Sequence, residues 1–124
     1  MAQLILVGVG GFAGAVARYV VDRRVANAFG ASFPWGTLLV NISGSLLLGI
    51  MFAILVERAA LPASTRAPLM IGFLGAYTTF STLMLESWRL IEEGAWLYAL
   101  LNIGGSVLLG MIALVAGIAI GKLA

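Results

Sequence analysis

The chain has 124 residues, 62% of them hydrophobic and 10% charged, with a mean hydropathy of +1.11, and a soluble fold of this length could not hide so apolar a composition. Cysteine and histidine are both absent, which excludes disulfides, thiolate chemistry and imidazole bases. The formal net charge of +2 is scattered, without a basic cluster, and speaks against nucleic-acid binding.

A membrane-spanning helix needs about 20 apolar residues. The apolar runs at 4–21, 37–56, 68–91 and 95–120 therefore predict an all-α membrane protein: one domain, four spans and short loops. The first run has no basic segment ahead of it and is too long for the apolar core of a signal peptide, so it reads as a retained helix. Its Gly8-Val9-Gly10-Gly11-Phe12-Ala13 imitates a dinucleotide fingerprint. That motif requires an acidic residue about 20 positions on, and positions 28–34 supply none. Gly10 and Gly14 form a small-residue pair suited to close helix packing. Near the end of the run stands Arg18, with no acid within three positions. Two roles are open to it: snorkelling to the interface, or drawing anions into a vestibule. The mixed stretch 22–32 predicts a short interfacial helix.

The second run follows Phe33-Pro34-Trp35-Gly36 and carries Thr37, Asn41, Ser45 and Gly49 at intervals of four, which places them on one helical face. In the fourth, Tyr98, Asn102, Ser106 and Gly110 repeat the arrangement, and Gly117 and Gly121 form a second small-residue pair. Polar groups at membrane depth are costly unless they face protein or water. The stripes read either as hydrogen-bonding glue between helices or as an anion path of neutral donors. Between them, the third run begins at Pro68 and contains the segment Gly72-Phe73-Leu74-Gly75-Ala76-Tyr77-Thr78-Thr79-Phe80-Ser81-Thr82. Glycines and hydroxyl residues at this density make a poor continuous helix. The segment is either a packing surface or a helix break near mid-membrane. At such a break, freed carbonyls bind a monovalent cation and the new N-terminus favours an anion.

If the N-terminus lies on one side, that side holds three cationic side chains (Arg58, Arg66, Lys122) and the other holds four (Arg18, Arg23, Arg24, Arg89). Orientation follows asymmetry in Lys and Arg. So even a balance predicts insertion both ways and antiparallel pairing, with a fixed orientation set by other features as the alternative.

Several segments together resemble the Fluc (CrcB) family of fluoride channels. They are Gly10-Gly11-Phe12-Ala13-Gly14-Ala15 with Arg18-Tyr19, Gly36-Thr37-Leu38 leading to Val40-Asn41 and Gly44, Gly72-Phe73-Leu74-Gly75, Thr78-Thr79-Phe80-Ser81-Thr82 with Glu86, and Asn102 with Ser106. The likeness runs in order along essentially the whole chain. It implies an antiparallel, dual-topology homodimer in the inner (plasma) membrane, with two pores lined by both subunits and passive fluoride efflux as its use. The family's pore asparagine falls on Asn41, its first pore phenylalanine on Phe80 with Ser81 and Thr82 beside it, and its polar track on Tyr98, Asn102 and Ser106. Its vestibule arginine falls on Arg18. Backbone carbonyls at Gly75 and Thr78 would hold a central structural sodium ion. Where the family often has a second phenylalanine, this chain has Leu83, leaving the ring-edge site half populated.

The rival is a small dual-topology proton-coupled drug exporter, which needs a membrane-embedded carboxylate. Glu86 is the one candidate, toward the end of the third run. No combination of His, Cys or paired carboxylates supports an enzyme.

Overall fold

The computed structural model describes residues 1–124. Four helical segments, α1 (Ala2–Phe29), α2 (Trp35–Glu57), α3 (Ala63–Glu92) and α4 (Trp96–Leu123), are each long and apolar enough to cross a membrane. Helix α1 runs past Val21 and takes in most of the mixed stretch expected to form a separate interfacial helix. The charges of Asp22, Arg23 and Arg24 do not oppose helix formation. The chain turns only at Gly30, whose φ of 84° is left-handed and open to glycine at little cost. Phe33 then tucks against Trp35 and Tyr98, with ring centroids 4.7 and 5.6 Å away, pinning the start of α2 to the start of α4.

Helix α2 widens to i→i+5 winding over Phe52–Glu57. Helix α3 is composite: a short turn at Ala63–Thr65, wide winding over Ala67–Leu74, and one α turn at Gly75–Tyr77. Thr78 and Thr79 are extended, with ψ of 158° and 120°. The regular helix Phe80–Glu92 follows.

Two seams bring backbones together through glycine. A Cβ on Gly10 or Gly14 would strike the carbonyls of Pro68 or Phe73 in α3, and one on Gly117 or Gly121 would strike those of Leu46 or Ile50 in α2. Both small-residue pairs are therefore spent within the chain, joining α1 to α3 and α4 to α2. Only 23 of 124 residues are buried, and the outer surface carries large apolar side chains such as Leu4, Phe12, Ile71, Leu100 and Ile112. Such a surface suits lipid or another apolar helix, because water penalises apolar area on this scale.

Candidate functional site

The interruption of α3 is held by side chains from its neighbours. From α1, Arg18 Nε donates to the Ala76 carbonyl at 3.1 Å, one of the carbonyls a helix end leaves without a partner. From α2, the Ser43 hydroxyl lies 2.9 Å from the Tyr77 hydroxyl, and Tyr77 is buried. Asn41 makes two bonds to one residue: Nδ2 donates to the Thr79 carbonyl at 3.1 Å, and Oδ1 accepts the Thr79 N–H at 2.8 Å. Thr79 in turn caps the second half of α3, its Oγ1 accepting the Thr82 N–H at 3.3 Å, as an N-cap hydroxyl does.

The consequence for the carbonyls follows from helix arithmetic. In a continuous helix the Gly75 carbonyl would accept from Thr79 N–H and the Thr78 carbonyl from Thr82 N–H. Here the first N–H goes to Asn41 and the second to the Thr79 hydroxyl. Both carbonyls lose their helical donors, and oxygens so released suit a hard cation. No group of three or more Asp, Glu, His or Cys side chains is assembled.

Two cavities flank the interruption, and Thr79 borders both. One of about 350 Å³ is lined by Asn41, Thr78, Phe80, Leu83 and Ser106 among others. The other, about 180 Å³, gathers Arg18, Asp22, Thr37 and Thr82. Phe80 is 74% exposed in the single chain whereas Leu83 is 4% exposed, although residues three apart share a helix face. Phe80 projects away from the chain and Leu83 packs into it.

The remaining expected site residues are dispersed. Asn102 is fully buried and its Nδ2 donates to Ser87 Oγ at 3.1 Å, while its Oδ1 and the Ser106 hydroxyl are buried without a partner in the chain. Tyr98 lies in the first turn of α4 against Phe33, and Ser81 is exposed. Arg18 borders the smaller cavity. It is part-buried and committed to Ala76. Sequence reasoning missed Ser43, Ser87 and the capping role of Thr79. Thr79 carried a usable signal, a hydroxyl residue immediately before a helical run. Ser43 and Ser87 are lone serines, and nothing in their spacing announces a partner.

Residues 5–118 match the family described as CrcB-like protein, Camphor Resistance (CrcB). Among its relatives, the chain is 44% identical over 121 residues to the "Fluoride-specific ion channel FluC" of Magnetococcus marinus, covering 98% of each. It is 48% identical over 121 residues to the protein of that name from Hahella chejuensis, covering 98% of this chain and 95% of the relative. A third of that name, from Maridesulfovibrio salexigens, is 42% identical over 123 residues, covering 99% and 98%.

Proposed function

The chain belongs to the CrcB-like family, and we infer from that membership that it is a fluoride-specific ion channel, a multi-pass membrane protein and not an enzyme. The observation that carries this is identity of 42–48% over nearly the whole length of relatives that bear that name. The proton-coupled exporter is set aside by the same likeness.

Fluoride is small and holds its water tightly, so a pore must offer strong short-range compensation. The neutral groups around the interruption suit that task. An aromatic edge carries partial positive charge, and Phe80 presents its ring outward. Asn41 has two N–H hydrogens on Nδ2; one serves the Thr79 carbonyl, and the other is available to an anion. Ser81, Thr82, Tyr98, Asn102 and Ser106 extend the set of donors, and Arg18, charged beside the smaller cavity, attracts anions to its mouth. Leu83 supplies an apolar wall in place of a second ring. Neutral donors release an ion more readily than a fixed cation does, as conduction requires.

The working unit in this proposal is an antiparallel homodimer in the inner membrane, with the interruption of α3 near mid-membrane. The three-to-four balance of cationic side chains supports dual insertion. The outward projection of Phe80, Tyr98 and Ser81 from one chain supports sites completed by a second. A structural sodium ion between the subunits, held by the carbonyls of Gly75 and Thr78, would supply a fixed positive charge that neutralises converging carbonyl dipoles. The diverted helical donors of those two carbonyls support it.

Growth in fluoride medium tests the function in cells. A bacterium lacking its own fluoride export should regain growth on expressing this chain and should not regain it with Phe80→Leu. Failure of the unmodified chain to restore growth, despite its presence in the membrane, would refute the reading.

A further inference from the structure

Asn41 lines the larger cavity and would ordinarily be counted as a lining group. Its bonding shows another task. Both ends of its carboxamide engage the backbone of a single residue 38 positions away, Thr79, as a neighbouring strand would engage it. The bond to Oδ1 takes the N–H that Gly75's carbonyl would receive in a continuous helix. The bond from Nδ2 satisfies the Thr79 carbonyl while that residue is extended. A backbone group left unpaired in an apolar environment is costly, so an interruption without a surrogate partner tends to close back into a helix. Gly44, one turn on from Asn41, lets α2 lie close against Tyr77 and Thr78, which brings the Asn41 carboxamide within reach of Thr79.

We propose that Asn41 is a positioning residue that keeps α3 open by standing in for two backbone partners of Thr79. In doing so it keeps the Gly75 carbonyl available as a cation ligand. Conduction then depends on Asn41 through the shape of α3, in addition to any hydrogen bond it gives an anion. Only the cation part rests on the proposed reading of the Gly75 and Thr78 carbonyls.

Amide hydrogen exchange on the full chain, in detergent or bilayers, reads the clamp without reference to transport. In the unmodified protein the Thr79 amide should exchange at least about tenfold more slowly than the loop amides of Ala31 and Ser32, the scale set by one hydrogen bond. Asn41→Ala removes both bonds and Asn41→Asp keeps an acceptor for the N–H while removing the donor. Their Thr79 amides should differ accordingly, protection falling in the first variant if the interruption persists and moving to the Gly75 carbonyl if it closes. Those two results are separated by sodium. The unmodified protein should gain thermal stability with sodium over potassium, Asn41→Asp should retain a gain, and Asn41→Ala should lose it because the closed helix reclaims the Gly75 carbonyl. An Asn41→Ala variant that keeps the gain has an interruption that persists without Asn41, which overturns the proposal. A Thr79 amide that exchanges as fast as the loop in the unmodified protein overturns the proposal, even if the variants do not fold. So does an Asn41→Ala protein with unchanged exchange and an unchanged sodium response. Fluoride efflux measured alongside distinguishes the two levels: an unmodified chain that shows the clamp but releases no fluoride refutes the channel and leaves the clamp standing.

Discussion

The seam between α2 and α4 and the interruption in α3 solve the same problem in opposite ways. At the seam the backbone groups are satisfied inside regular helices, and the helices approach through missing side chains: Gly49 meets the Leu114 carbonyl and Gly117 meets that of Leu46. At the interruption the backbone leaves the helix, and side chains cross from two other helices to satisfy it. The seam therefore depends on shape and the interruption on hydrogen bonds. Damage to the first should appear as lost stability, and damage to the second mainly as lost transport.

Gly117→Leu should break the comparison on the seam side with the largest effect. Four added carbons would have to enter a backbone contact, and overpacking of this kind costs about 3 kcal/mol or more. Thermal unfolding in detergent should show the loss, whereas Gly8→Ala, where a Cβ meets nothing within 4 Å, should stay within about 0.5 kcal/mol of the parent. Near the interruption, Phe80→Leu should reduce fluoride efflux by about tenfold or more, a factor worth ~1.4 kcal/mol, close to the scale of an aromatic contact. The midpoint of unfolding should scarcely move, since the ring is largely outside the chain's own packing. Leu83→Phe should be tolerated, because position 83 borders the 350 Å³ cavity into which a ring can extend. Ser43→Ala removes the partner of the buried Tyr77 hydroxyl and should cost about 1 kcal/mol in stability. At the small end, Glu57→Gln breaks a 3.6 Å ion pair with Lys122 whose side chains are 37% and 58% exposed, and should change stability by less than about 0.5 kcal/mol.

The contrast also explains what could be read from the sequence. Long apolar runs declare themselves by composition, so four spans were legible from 124 letters. The end of α1 was not, because hydropathy falls after Val21 while helix-compatible residues continue to Phe29; the useful signal was Gly30. The small-residue pairs announced close packing but not its partner, since the same spacing serves a second copy or the next helix. Weak helix formers crowd 72–82, and the interruption at Thr78 and Thr79 lies among them. Which N–H groups are diverted there depends on Asn41, 38 residues earlier, and no local pattern carries such a long-range bond. The same holds for Asn102, whose partner Ser87 sits on a different helix.

Transport in a system containing nothing else tests the central claim most directly. Liposomes holding equal potassium fluoride and potassium chloride, with this purified chain in the bilayer and valinomycin to carry the counter-ion, can be followed with electrodes for both anions. The account predicts that fluoride leaves while chloride stays, with fluoride release slowed about tenfold or more in Phe80→Leu. Equal release of the two anions, or retention of fluoride by vesicles shown to contain folded protein, would contradict it.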